Sequence, residues 1–315
     1  MSTAFVLSGG GSLGAVQVGM LQALAERGIL PDLLVGTSAG ALNAAWVAGH
    51  GLSSSSLDDL ARSWTDVRRR DVFPVNVGHA LLALAGRRSA LCSNGRLGDL
   101  VLGDVGTDDF AQVSVPLHVV ATDLISGEDV LISDGAIADA VLASAAIPGV
   151  FPPVRVAGRS LVDGGVAHRP GISQAVDLGA SEIYVLPAGY PCALTRAPTS
   201  ALGVAVHALS LLIEKRLIDE VARFAGAARI KVLPPLCPLK VSAADFGHAA
   251  ELIRRGHSST SKWLDEGGVD LPAQERFLSL HRHAVEAGAP PGAPSGVKRM
   301  HASLDARPTG GRHPA

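Results

Sequence analysis

Ser38 lies in Gly36-Thr37-Ser38-Ala39-Gly40, directly after the apolar run Leu33-Leu34-Val35 and before the helix-forming segment Ala41-Leu42-Asn43-Ala44-Ala45-Trp46-Val47. Gly-x-Ser-x-Gly between a strand and a helix is the pattern of a sharp turn that exposes a serine hydroxyl. A hydroxyl at that position lies near free backbone N–H groups and the positive end of a helix dipole. Both favour negative charge developing during acyl transfer. The same five residues also suit a glycine-flanked turn with a capping serine, so the rest of the chain has to decide. A nucleophilic serine needs a base for its proton and donors for an oxyanion. Asp163, in Asp163-Gly164-Gly165, is the candidate base. The backbone amides of Gly9, Gly10 and Gly11, in Ser8-Gly9-Gly10-Gly11-Ser12-Leu13-Gly14, are the candidate donors.

Other chemistries compete for these residues. Gly9-x-Gly11-x-x-Gly14 matches the dinucleotide fingerprint, which also calls for an acidic residue at the end of the second strand. That strand ends in Gly36-Thr37-Ser38, and Asp32 stands at its beginning. No Gly-Lys-Ser/Thr follows, so a P-loop fails as well. Asp123 ends a predicted strand and rivals Asp163 as a base; a turn or cap is its expected role. His168, His207, His248 and His257 follow Asp163, so chain order leaves a Ser-Asp-His triad open. Cys92, Cys192 and Cys237 are odd in number and widely spaced. They show neither a disulfide framework nor a metal-ligand pattern, and free thiols are expected. No metal and no organic cofactor is implied.

The elements that must position these residues follow from the apolar pattern. Phe5-Val6-Leu7 reads as a first buried strand, followed by the glycine loop and a helix over residues 15–27, on which Val16, Met20, Leu21 and Leu24 share a face. With the strand that carries Ser38, this is the strand–helix–strand unit of a parallel sheet. In such a sheet the carboxyl ends of strands gather on one edge, where separated segments converge. Further strands are expected at residues 116–121, 129–132, 161–162, 182–186 and 229–233. Helices are expected at 57–67, 136–146, 171–178, 201–224 and 245–263, with a weaker one at 274–285. Arg68-Arg69-Arg70 is read as the solvated end of the helix over 57–67. Residues 71–109 form an irregular, partly helical insertion, with a short helix at 79–85, placed to lie over the site. From Gly288 onward the chain is rich in Pro and Gly and is expected to be disordered.

Composition narrows the class. Of 315 residues, 47% are hydrophobic and only 4% aromatic, so the core is aliphatic, as buried parallel strands require. The formal charge is −2, from 27 basic and 29 acidic residues, which gives no electrostatic grip on nucleic acid. The chain enters a strand almost at once, and its longest strongly apolar stretch is too short to span a bilayer. A cytoplasmic protein, with peripheral membrane contact left open, is the expectation. Oligomeric state is not legible.

Taken together, the glycine loop, Gly36-Thr37-Ser38-Ala39-Gly40 and Asp163-Gly164-Gly165 resemble the patatin-like phospholipase family. The connecting segments Ala121-Thr122-Asp123-Leu124 and Ala143-Ser144-Ala145-Ala146-Ile147-Pro148-Gly149-Val150-Phe151-Pro152-Pro153 add to the likeness. It is good over residues 4–187 and weaker to about Leu264, giving a domain over 1–267. The resemblance implies a three-layer α/β/α sandwich with a mainly parallel sheet. It implies hydrolysis of lipid acyl esters by a Ser38–Asp163 dyad without histidine, with Gly9, Gly10 and Gly11 as oxyanion hole. Gly14, Gly36, Gly40, Gly164 and Gly165 would shape the turns. Many members carry Arg or Lys where this chain has Leu13, which puts phospholipid head-group preference in question. Arg169, near the aspartate motif, is read as a surface ion-pairing residue. The alternative is a nucleotide- or lipid-binding module with a degenerate site.

Overall fold

The computed structural model describes residues 2–74, 78, 82, 85–104, 106–169, 171–271, 278, 280 and 281. In chain order the first elements are β1 (Thr3–Leu7), α1 (Ala15–Ala25), β2 (Leu33–Thr37), α2 (Ala39–His50) and α3 (Ser54–Asp66). Next come α4 (Arg69–Val72), α5 (Gly95–Asp104), β3 (Leu117–Asp123), β4 (Asp129–Ile132) and α6 (Ile137–Ser144). The hairpin β5 (Val154–Val156) and β6 (Arg159–Asp163) precedes α7 (Ile172–Asp177) and β7 (Glu182–Leu186). The series closes with α8 (Ala201–Phe224), β8 (Arg229–Val232) and α9 (Ala249–Asp265). The strands form one sheet in the order β5-β6-β3-β2-β1-β7-β8, with β4 also paired to β3.

The fold is a three-layer α/β/α sandwich. Alternation along β1 shows why: Phe5 and Leu7 join the core under α1, α2 and α3, whereas Ala4 and Val6 join the core under α7 and α8. A strand covered on both faces needs no polar side, hence the unbroken apolar runs that mark β1, β2 and β7. The five strands β3-β2-β1-β7-β8 are parallel. Strands β4, β5 and β6 run antiparallel to their neighbours.

That antiparallel section changes how the site is assembled. Val119 and Val120 of β3 pair with β2 on one edge and β4 on the other. Ala121 and Thr122 pair with β4 and β6. A strand has only two edges, so β6 occupies the same lane as β2, beyond its end. Thr37 lies opposite Val120 and Asp163 opposite Ala121, so the two strands meet head to head. Asp163 therefore reaches Ser38 from the opposite direction, whereas a purely parallel sheet would have gathered both at one edge.

Other sequence expectations need adjustment. Strand β5 is only three residues long, and its pairing with β6 depends on Ala157 and Gly158, both at positive φ (48° and 80°). Such a turn suits a two-residue hairpin. Arg69 and Arg70 open α4 instead of closing α3, and Asp71 accepts the Arg68 amide at that start. Of the expected helices at 79–85 and 274–285, only residues 82, 85, 278, 280 and 281 are described, and the tail from 288 lies outside the described residues. Among the described residues no helix is long and apolar enough to cross a membrane.

Candidate active site

Ser38 joins β2 to α2 with φ 53° and ψ −123°, a backbone conformation that non-glycine residues rarely adopt. The neighbouring glycine makes the turn possible. A Cβ on Gly40 would stand 2.2 Å from the Leu7 carbonyl oxygen, so only glycine lets α2 start this close to β1. Gly36, on the other side, abuts Ala41. The strained turn is pinned by Ser144 at the end of α6. Its hydroxyl accepts from the Ser38 amide (2.8 Å) and donates to the Val120 carbonyl (2.6 Å). Ser144 falls in the segment 143–153 that adds to the family likeness, but its role is not legible there, because it lies 106 residues from Ser38 and reads as one small residue in an alanine-rich helix.

The Ser38 hydroxyl donates to Oδ2 of Asp163 at 2.8 Å. The other carboxylate oxygen, Oδ1, accepts from the Gly165 amide at 2.7 Å. Asp163 is completely buried. Burial pushes its pKa up to about 7, while the bonds from Gly165 and Ser38 pull the other way. The outcome is a carboxylate far more basic than one in water, held against a serine hydroxyl. The remaining motif glycines give that contact its room: Gly164 packs on the Val120 carbonyl, and Gly165 packs on Ile213 of α8.

The glycine loop passes directly beside the serine. A Cβ on Gly9 would lie 3.0 Å from the Ser38 Cβ, which leaves no space for a side chain. The amides of Gly9, Gly10, Gly11 and Ala39 have no acceptor among the described residues. Gly10 rests against Ala188, Gly11 takes φ 57°, and Gly14 fits against Ala39 and Trp64. A buried polar chain holds the loop. Trp64 Nε1 donates to Asn43 Oδ1 (2.8 Å), Asn43 Nδ2 to Gln17 Oε1 (2.9 Å), and Gln17 Nε2 to the carbonyls of Ser8 (2.8 Å) and Leu186 (2.9 Å). This chain also escaped sequence reasoning, since a buried Gln or Asn gains its meaning from partners on other elements.

Ser38 opens into a cavity lined mainly by apolar side chains. Its wall includes Leu42, Trp64, Phe73, Leu97, Val141 and Phe151, and among the described residues no charged side chain. Phe73 and Leu97 come from the region of 71–109, so part of that segment does lie over the site. Leu13 is fully buried in the core and is absent from the cavity wall.

The competing residues lie elsewhere. Asp123 caps its own turn, accepting from the amides of Ile125 (2.9 Å) and Ser126 (3.1 Å), which lower its pKa. His168 is exposed, His248 faces Asp245 and Glu251, and His257 meets Glu26. His207 lines a separate cavity. None of these histidines bonds to Ser38 or Asp163. Arg169 pairs with Asp129 and Asp177.

The patatin-like phospholipase family model matches residues 5–176, which span the glycine loop, Ser38 and Asp163. The chain belongs to that family. An uncharacterized NTE family protein of Mycobacterium tuberculosis is 33% identical over 163 residues, covering 52% of this chain and 42% of that protein. Patatin-like phospholipase domain-containing protein 7 of Rattus norvegicus is 29% identical over 188 residues, 59% of this chain and 13% of that protein. The match thus spans less than half the length of these relatives. Among solved structures, VipD from Legionella pneumophila aligns with a TM-score of 0.44 at 18% identity, covering 84% of this chain and 67% of that one.

Proposed function

We propose that this patatin-like protein is a serine acyl hydrolase that cleaves carboxylic esters of lipids with a Ser38–Asp163 dyad. The observation that carries the reading is the 2.8 Å bond from the Ser38 hydroxyl to a fully buried carboxylate, with Ser38 also lining a largely apolar cavity. Asp163 takes the hydroxyl proton as Ser38 Oγ attacks the ester carbonyl. The resulting oxyanion is met by amides of Gly9, Gly10 and Gly11. Collapse breaks the bond to the alcohol, which leaves with the proton returned by Asp163. Asp163 then takes a proton from water, the hydroxyl attacks the acyl-serine, and the fatty acid departs as Ser38 recovers its proton. No cofactor enters these steps.

The cavity suits an acyl chain. With an apolar wall and no cation in it among the described residues, it recognises the chain and leaves the head group outside, so a phosphate is dispensable. Buried Leu13 is consistent with this preference. The test is hydrolysis of p-nitrophenyl esters, monoacylglycerols and phospholipids by wild type and Ser38→Ala, together with labelling by a fluorophosphonate. Labelling confined to Ser38, and loss of activity in the variant with its fold intact, support the proposal. A folded wild type that neither labels nor hydrolyses any ester would point to the binding-module alternative.

A further inference from the structure

Away from Ser38, two loops and the segment after α9 bring sulfur and imidazole together. Cys192 follows β7, Cys237 follows β8, and His281 lies beyond α9. Cys192 Sγ lies 4.0 Å from Cys237 Sγ, and Cys237 Sγ lies 3.0 Å from His281 Nε2. A ligand atom from each of the three lies within 4.8 Å of the others. Tetrahedral zinc, with bonds of about 2.3 Å to sulfur and about 2.0 Å to nitrogen, sets its S–S edge near about 3.8 Å and its S–N edge near about 3.5 Å. The Cys192–Cys237 separation is slightly longer than the S–S edge and the Cys237–His281 separation is shorter than the S–N edge, so side-chain adjustments of about half an ångström bring these atoms to zinc-binding distances.

The surroundings are those of ligands held in place. The Leu239 amide donates to Cys192 Sγ at 3.3 Å, a bond that also steadies a thiolate. Tyr190 fixes the His281 backbone from both sides, donating to its carbonyl (2.8 Å) and accepting from its amide (2.6 Å). Ala193 N–H bonds to the Leu239 carbonyl, tying the two cysteine loops together. Cys192 and His281 also line a cavity shared with His207, whose buried Nδ1 has no partner among the described residues. The wide spacing of the cysteines hid this cluster from sequence analysis; only the fold closes it.

We propose that Cys192, Cys237 and His281 supply three ligands of a site for a thiophilic divalent cation of the zinc type. Binding replaces each S–H by a sulfur–metal bond, and the two protons go to solvent. The ion clips the loop after β7 to the loop after β8. The second of these loops runs on to Ser242 and Ala243, whose carbonyls hold Ser12 Oγ (3.1 Å) and Ser12 N (2.9 Å) beside the glycine loop. The clip therefore braces the proposed oxyanion-hole segment from behind, independently of whether Ser38 acts on esters.

The test uses the full chain, stripped with a chelator under reductant and then titrated with cobalt(II) and zinc. The expected result is one cobalt per chain, with a thiolate charge-transfer band that zinc abolishes, and a higher Tm with zinc. Cys192→Ser, Cys237→Ser and His281→Ala should each weaken zinc at least tenfold, whereas Cys92→Ser should leave it unchanged. His281 is exposed, so its replacement leaves the fold intact and keeps the test decisive. Absence of the thiolate band, binding unaffected by Cys237→Ser and His281→Ala, or a Cys192–Cys237 disulfide that persists under reductant would overturn the proposal. These readouts involve no ester, so they stand or fall separately from the activity.

Discussion

Replacing Asp163 by Asn separates activity from stability. The carboxyl is fully buried, and its pKa rises from 3.8 to about 7. A carboxylate raised in this way is fully compatible with folding below about pH 3.8, and its contribution is lost as pH climbs through about 7. From the linkage relation, keeping Asp163 disfavours the fold by about 1.7 kcal/mol at pH 5 and by about 4 kcal/mol at pH 8. Asparagine does not titrate. Its carbonyl can keep the bond from the Gly165 amide, and its NH2 can donate to the Ser38 hydroxyl. The stability of Asp163→Asn relative to wild type should therefore improve by about 2–3 kcal/mol between pH 5 and pH 8. Activity should move the other way. In wild type, kcat/KM on a soluble ester should follow the ionised fraction of Asp163, falling about tenfold from pH 8 to pH 6. The variant, which cannot take a proton, should be at least about a hundredfold slower at every pH. Urea denaturation at both pH values and p-nitrophenyl butyrate hydrolysis from pH 5.5 to 8.5 make the measurement. A relative stability that does not change with pH, together with a flat pH–rate profile in wild type, would refute the reasoning.

Further expectations test the surrounding structure. Ser144→Ala leaves the Ser38 amide and the Val120 carbonyl unpaired in the interior, which costs about 1–3 kcal/mol of stability. It should lower kcat about tenfold or more with KM nearly unchanged, and Ser144→Thr should restore part of the loss. Gly9→Ala pushes a methyl group against Ser38, so kcat should drop at least about a hundredfold without global unfolding, as judged by circular dichroism. Leu42→Trp fills the cavity and should cut hydrolysis of long-chain p-nitrophenyl esters at least tenfold while sparing the acetate. Glu214 is buried on α8, its Oε1 has no partner among the described residues, and burial raises its pKa from 4.5 to about 7. Its fit to the fold is likewise lost as pH rises through about 7. Glu214→Gln should therefore stabilise the protein by about 3 kcal/mol at pH 8 and by little at pH 4, as read from thermal melts, leaving the pH–rate profile in place.

Much of this architecture could be read from the chain alone, because local patterns carried it. Apolar runs covered on both faces marked the central strands. Gly36 and Gly40 marked the turn at Ser38, since a backbone that approaches Leu7 and Ala41 so closely tolerates no other residue. The motif residues Gly9, Ser38 and Asp163 were individually visible for the same reason: each imposes its own demand on the local chain. The tertiary structure decided everything that depends on a partner distant in sequence. It showed that β6 enters the lane of β2 from the far end, so that Asp163 faces Ser38 across a strand junction. It gave Ser144 its hold on the Ser38 amide and gave Gln17 and Asn43 their places behind the glycine loop. It moved Leu13 into the core and set Cys192, Cys237 and His281 side by side. Periodicity and turn chemistry are properties of neighbouring residues and survive in a linear sequence. Burial, which makes Asp163 basic, and juxtaposition, which gathers the cysteines, exist only once the chain has packed.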